Sequence, residues 1–183
     1  MPKWYQQGLR VNNKLWLISD THFGHRNIVK FQQRPESHEV IMLSEWIKRV
    51  GEDDQILHLG DVWMKGSPWR WAAVISRLPG QKFLIKGNHD KDRDDTYESA
   101  GFTIVEEFGL DNGYVFTHRP VTTLFLGPTE KWGGWHTNIH GHTHGNPHHP
   151  EDGDPLEGKN YINVCVELTE LAPVQLGNVW KRS

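Results

Sequence analysis

Five short stretches of this chain place oxygen and nitrogen donors where an apolar run ends. Gly87-Asn88-His89-Asp90 sets an amide oxygen, an imidazole and a carboxylate within one turn, directly after Lys82-Phe83-Leu84-Ile85-Lys86. Glycine at that point lets the backbone turn sharply. Asp20-Thr21-His22 follows the apolar residues 15–18, Gly60-Asp61 follows 55–59, His118 follows 114–117, and Gly141-His142-Thr143-His144-Gly145 follows 138–140. Taken singly, each has an ordinary reading: Asp20 as a cap, Gly60-Asp61 as a turn, His118 as a surface histidine. Together, Asp20, His22, Asp61, Asn88, His118, His142 and His144 form a repeated pattern of potential ligands. Asp20 and His22 are two residues apart and share a face in extended backbone, so both can grip one ion. Hard oxygens and imidazoles without a thiolate suit manganese, iron or zinc. A bound ion of this kind acidifies a coordinated water and acts as a Lewis acid. No protein nucleophile is then needed, and the chain shows neither a convincing Ser/His/Asp set nor a phosphate-cradling glycine loop before a helix.

The elements that must position these residues can be read from periodicity. Residues 15–18, 55–59 and 81–86 are predicted as buried strands. A helix carrying Val40, Leu43, Ile47 and Val50 toward the core separates the first two, and a helix over 69–78 the next two. Strands alternating with helices imply β-α-β units and a largely parallel sheet, whose ligands gather at the carboxyl ends of the strands. A short helix over 94–100 follows. Strands over 102–108 and 114–117, joined through Asp111-Asn112-Gly113, predict an antiparallel half. Residues 138–140 and 161–166 are further strands, and Asn163 is placed to approach the site. The predicted fold class is α/β.

Composition narrows the function. The chain has 183 residues, read as a single domain over 1–183 and large enough for a sizeable core. With 36% hydrophobic and 23% charged residues it reads as an ordinary soluble chain, and a net charge of −3 argues against an extended duplex nucleic-acid surface. Cys165 is the only cysteine, so no internal disulfide can form. It is read as a small buried hydrophobe. The N-terminus shows no signal-peptide core and no run reaches a membrane span, so a cytoplasmic protein is expected.

The order Asp-x-His, Gly-Asp, Gly-Asn-His-Asp, His, Gly-His-Thr-His over residues 20–144 resembles the calcineurin-like metallophosphoesterase superfamily. Ser19 to His25 with Asn27-Ile28 looks like a small bacterial and phage subgroup. The resemblance implies a sandwich of two mixed β-sheets flanked by helices, and a binuclear centre of two divalent ions, manganese first, with iron or zinc as alternatives. Asp20, His22, Asp61 and His144 would hold one ion, and Asp61, Asn88, His118 and His142 the other, with Asp61 as the bridge. His89 would protonate the leaving oxygen or steady the phosphoryl charge after attack by a metal-activated hydroxide. Asp90 would orient His89. Against the charge of two divalent ions, Asp20 and Asp61 leave a site of about +2, a well for a phosphate anion in an acidic chain.

His25 is a candidate phosphate contact beside Asn88, or else a turn cap, and Arg26 and Asn27 are similar outside candidates. His58 and His140 lie within strands and are expected to pack, while His148 and His149 are expected to be solvated. His136 stays open. Phe23, Trp63, Trp132 and Trp135 could stack on a base or simply pack. The expected substrate is a small phosphorylated molecule, a nucleotide among the candidates. Diesters are preferred over monoesters because Arg26, Arg93 and Arg119 are the few arginines near the motifs. A phosphomonoesterase or protein phosphatase with the same centre is the alternative. A nuclease acting on short single strands and a metal-loaded scaffold without turnover are further readings.

Overall fold

The computed structural model describes residues 7–64, 68–123, 134–146 and 149–179. Its first sheet takes the order β4-β3-β2-β1-β9. Here β1 is Trp16–Ile18, β2 Gln55–His58, β3 Gln81–Leu84, β4 Phe102–Ile104 and β9 Val174–Gln175. The first four run parallel, and β9 closes the β1 edge antiparallel. The second sheet takes the order β5-β6-β7-β8, with β5 Phe108–Gly109, β6 Tyr114–Phe116, β7 Thr137–His140 and β8 Asn160–Asn163. The helices are α1 (Ile28–Phe31), α2 (His38–Arg49), α3 (Pro68–Ile75), α4 (Asp94–Ser99) and α5 (Leu176–Val179). This is the expected α/β sandwich of two mixed sheets with helices. No helix of the described residues is long and apolar enough to cross a membrane.

Strand alternation builds the layers. Leu17, Leu57, Phe83 and Ile85 point one way and meet Phe108, Phe116, Ile139 and Ile162 of the second sheet. Their neighbours Ile18, Ile56 and Leu84 point the other way and pack under α2, α3 and α4 through Met42, Trp46, Ile75 and Tyr97. The outer face of the second sheet is covered by Val121 and Trp135.

Two sequence expectations change. The single strand over 102–108 divides: β4 pairs parallel with β3, and β5 belongs to the other sheet. The chain switches sheets between Ile104 and Phe108, so only β5–β6 is antiparallel there, while β6–β7 and β7–β8 are parallel. The hairpin turn was legible; the sheet change before it has no local signature. The helix also presents a different face. Met42, Trp46 and Val50 are buried, Leu43 is half-buried, and Val40 and Ile47 are 68% and 61% exposed. The two stripes lie side by side at the same spacing, and the larger Trp46 and Met42 take the core position.

Candidate metal centre

Every predicted ligand follows the carboxyl end of a parallel strand. Past Ile18 the chain stays paired with the residues after β2: Asp20 N donates to Gly60 O and His22 N to Asp61 O, both at 3.0 Å. Gly141 N donates to His118 O, which ties the second sheet's ligand loops together. Asp20, His22, Asp61, His142 and His144 all adopt the left-handed region, with φ between 49° and 69°. Among the described non-glycine residues only Gln33, Glu170 and Leu171 share that region. Such conformations cost free energy and persist where the surroundings hold them.

Two glycines make this convergence possible. A Cβ on Gly87 would collide with Asp61 Oδ1, and one on Gly141 would collide with Ser19 Oγ and Asp20 Oδ2. Only a residue without a side chain lets these loops meet so closely.

Two ligand groups result. Asp20, His22 and His144 bring one donor atom each within 4.8 Å of the others, and so do Asp61, His118 and His142. Asp61 Oδ2 lies 3.6 Å from His22 Nε2 and also 3.6 Å from His118 Nε2, so this oxygen stands between the groups. The donor chemistry fits cations. Asp20 Oδ2 accepts from Ser19 Oγ (2.5 Å), His142 N (2.8 Å) and Cys165 Sγ (3.1 Å), whereas Asp20 Oδ1 is buried without a partner. Both ring nitrogens of His22 are buried and unpartnered as well. His118 Nδ1 donates to Leu59 O at 2.7 Å, so a neutral ring turns its Nε2 lone pair toward Asn88 Oδ1, 2.9 Å away, and Asp61 Oδ2. Lone pairs facing one another call for a positive charge between them. These residues fit two divalent ions.

The electrostatics agree. Burial pushes the Asp20 carboxyl up, but His22, His118 and His144 around it hold it well below the usual carboxylate range. Burial, with His118 and Arg119 adding, lowers His142 to about 3, so it stays neutral as a ligand must.

A family model described as calcineurin-like phosphoesterase matches residues 13–160, most of the chain and all of these ligands. The chain belongs to the calcineurin-like phosphoesterase family. An uncharacterised protein of Methanocaldococcus jannaschii is 33% identical over 176 residues, covering 92% of this chain and 90% of its own length. The gene 66 protein of Mycobacterium phage L5 is 35% identical over 80 residues, 41% of this chain and 39% of its own. Among solved structures, a protein of unknown function from Aquifex aeolicus shares the fold at a TM-score of 0.73 and 24% identity, over 94% of this chain and all of its own.

Around the phosphoesterase centre the other predicted residues separate. His89 is exposed, its ring 5.5 Å from that of His22, and its backbone N–H donates to Asp61 Oδ1 at 2.9 Å. Asp90 is corrected. Its carboxylate accepts from the amides of Asp61 (2.6 Å), Gly87 (2.8 Å) and Val62 (3.0 Å). It fixes the backbone that carries Asp61 rather than the His89 ring. Burial and the nearby Asp61 push its carboxyl up to about 6, even against those amides. His25 is half-buried, its ring 5.9 Å from His22 and 6.0 Å from Phe31, so it borders the centre. Arg26 and Asn27 are exposed.

His58 and His140 are buried and pack, as expected. Burial lowers them to about 3 and about 4. His136 bonds to Thr137 and to Asn112 O beside the hairpin turn. Phe23, Trp63 and Trp135 are buried, so none of them is open to a base. Trp132 and His148 lie outside the described residues. His149 is half-buried with its ring 5.8 Å from His142, not a freely solvated side chain. Asn163 does reach the site, donating to Thr143 Oγ1 and His144 O, both at 2.8 Å. Cys165 is buried, but its thiol also donates to Asp20, and burial pushes it well above its ordinary range.

Sequence reasoning missed three charged residues. Buried Arg34 donates to Asp20 O (2.6 Å), Thr21 O (2.8 Å) and Glu167 Oε1 (2.5 Å). Glu167 Oε1 lies 3.0 Å from His144 Nδ1. Asp152 Oδ1 lies 3.1 Å from His142 Nε2 and accepts from Arg119 Nη1 at 3.0 Å. Glu167 directly follows the apolar run 161–166, so the strand-end rule that found the ligands applies to it too. Arg34 and Asp152 carry no comparable local signal.

Proposed function

We propose that this phosphoesterase is a binuclear metal-dependent phosphodiesterase. The observation that carries the binuclear reading is Asp61 Oδ2 at 3.6 Å from a ring nitrogen of each ligand group. Asp20, His22 and His144 would hold one ion, Asn88, His118 and His142 the other, and Asp61 both. Bound there, two divalent ions supply Lewis acidity and an acidified water for in-line attack on phosphorus. Manganese is the first candidate, ahead of iron or zinc.

The chain's own residues supply the rest. Asp61 is held at its ligand position by the amide of His89 on Oδ1, leaving Oδ2 for the centre. His89 stands exposed next to His22, where its ring can give a proton to a leaving oxygen. Partial desolvation of the ring beside the centre lowers its proton affinity, and the charge of Asp61 opposes that. His25, its ring 5.9 Å from that of His22, and exposed Phe31, its ring 6.0 Å from that of His25, offer an edge against which a leaving group can rest.

Charge supports diesters over monoesters. A dianionic monoester calls for additional cationic donors. Arg34 is committed to Glu167 and two backbone carbonyls and Arg119 to Asp152, Arg93 pairs with Asp95 at the surface, and Arg26 alone of those near the motifs stands exposed beside His25. A singly charged diester suits that setting better. The substrate is then a small phosphodiester, a nucleotide among the candidates.

The test is hydrolysis of bis-p-nitrophenyl phosphate and p-nitrophenyl phosphate by metal-stripped protein with and without Mn2+. Mn2+-dependent cleavage favouring the diester supports the reading. A monoester preference moves the substrate class and keeps the centre. No turnover by protein that binds two ions refutes the catalytic reading.

A further inference from the structure

The two histidines of Gly141-His142-Thr143-His144 each meet a buried or nearly buried carboxylate, and each carboxylate meets its own arginine. At His144, Nδ1 lies 3.0 Å from Glu167 Oε1, which also accepts from Arg34 Nε at 2.8 Å and Nη2 at 2.5 Å. A carboxylate between a guanidinium and a ring nitrogen accepts, so Nδ1 carries the proton and Nε2 turns toward Asp20 Oδ1, 3.9 Å away. At His142 the ring is engaged from the other side: Nε2 lies 3.1 Å from Asp152 Oδ1, at ion-pair distance without the angle of a hydrogen bond, and Arg119 Nη1 sits 3.0 Å from the same oxygen. That leaves Nδ1 of His142 for the group it forms with Asp61 and His118. Asp152 also falls within a possible ligand group with His142 and His149. The Arg119 guanidinium already supplies the positive charge there, which disfavours a third ion.

We propose that Glu167 with Arg34, and Asp152 with Arg119, are paired positioning residues that make His144 and His142 offer opposite ring nitrogens, Nε2 and Nδ1, to two different ions. A carboxylate behind a ligand histidine fixes its tautomer and raises its basicity, and its loss typically lowers metal affinity about 10–100-fold. Arg34 adds a link on one side: the guanidinium that holds Glu167 also holds Asp20 O and Thr21 O, so the histidine and the aspartate of one ligand group share a brace. The inference rests on the metal-binding part of the proposed function and is independent of the substrate.

The test uses Mn2+ titration calorimetry on the metal-stripped full chain, in backgrounds that leave one ion each. His142→Ala keeps the Asp20, His22, His144 group, and there Glu167→Gln is expected to weaken the remaining ion about 10–100-fold while Asp152→Asn leaves it unchanged. His144→Ala keeps the other group, and there the effects exchange. General damage to the fold does not produce that crossing. Long-range proton–nitrogen NMR on metal-free wild-type protein gives a second readout, expected to show His144 protonated at Nδ1 and His142 at Nε2. Equal effects of Glu167→Gln in both backgrounds, or none in either, overturn the inference, as does the reverse tautomer at His144. Wild-type protein that takes up two ions while the crossing fails overturns this inference alone. Wild-type protein that takes up no Mn2+ overturns the metal reading and this inference with it.

Discussion

The buried His58 makes the metal-free protein acid-sensitive in a way that one substitution should remove. Its Nδ1 accepts from Gly60 N at 3.1 Å, and its Nε2 lies 3.0 Å from Thr21 Oγ1, which itself donates to Val62 O at 2.8 Å. Nε2 therefore carries the single proton. A second proton would go on Nδ1 and face the Gly60 N–H, donor against donor. Burial, the largest cause, lowers His58 from 6.5 to about 3. Because the folded value lies below the unfolded one, the unfolded chain takes the proton first. Stability is then intact above about pH 6.5, falls as pH drops below it, and stops falling near the folded value. For one group with these two values the loss between pH 7 and pH 5 is about 2 kcal/mol. Asn can replace the Nδ1 acceptor without titrating, so His58→Asn sets a fixed offset without the slope. Urea unfolding in EDTA at both pH values should show the wild type losing about 2 kcal/mol more than the variant. Parallel losses, within about 0.5 kcal/mol, would refute the reasoning.

Asp61→Asn should abolish turnover and weaken both Mn2+ sites in calorimetry, because its Oδ2 faces both ligand groups; loss of one site alone would contradict the bridge. His89→Ala should cut kcat for bis-p-nitrophenyl phosphate about 10²–10⁴-fold with Mn2+ stoichiometry unchanged, since its bond to Asp61 comes from the backbone. Asp90→Ala should destabilise by about 3–5 kcal/mol by chemical denaturation, leaving three amides without their shared acceptor; a pure kcat defect at unchanged stability would restore a role on the His89 ring. Phe31→Ala should raise KM for the aryl diester several-fold with kcat little changed, and an unaltered KM would remove Phe31 from the substrate path.

The proposed ligand positions Asp20, His22, Asp61 and Asn88 were legible because each follows a short apolar strand, and a parallel sheet delivers such ends to one edge; His118, His142 and His144 were picked out by the strand-end pattern alone, since their half was expected to be antiparallel and is instead parallel from β6 to β8. That logic needs strand existence and direction, not exact boundaries. It fails where one local pattern serves two ends. The run 102–108 has continuous strand character, yet it is cut by a crossing from β4 to β5 that only tertiary packing decides. In α2, Val40–Ile47 and Met42–Trp46 are both plausible stripes, and volume against Ile18, Ile56 and Leu84 chose the second. Asp90 shows a different limit. A carboxylate next to a histidine in sequence need not be next to it in space, and at a tight turn the unpaired amides are the nearer partners. Arg34 was invisible for the same reason: its acceptors are the carbonyls of Asp20 and Thr21, 14 and 13 residues before it, and Glu167, 133 residues after it.

Arg34, Asp90 and Asn163 account for how the turns that carry the proposed ligands are held. Five of the seven proposed ligand residues sit in left-handed backbone, where a non-glycine residue costs roughly 1–3 kcal/mol. Asp and His tolerate that region better than branched residues, so the lower end applies, yet the sum is still comparable with a typical domain's whole stability. Something must hold these turns, and the braces stand where the strain is. Arg34 takes the carbonyls of Asp20 and Thr21, Asp90 takes the amides of Asp61 and Val62, and Asn163 takes the carbonyl of His144. Each brace is a polar side chain bound to backbone polar groups that the left-handed turns leave outside the regular ladders, so the same bonds satisfy otherwise orphaned groups and fix the ligand directions. The same braces set the directions of Asp20 Oδ1 and the His22 nitrogens, the buried donors that a bound cation would satisfy.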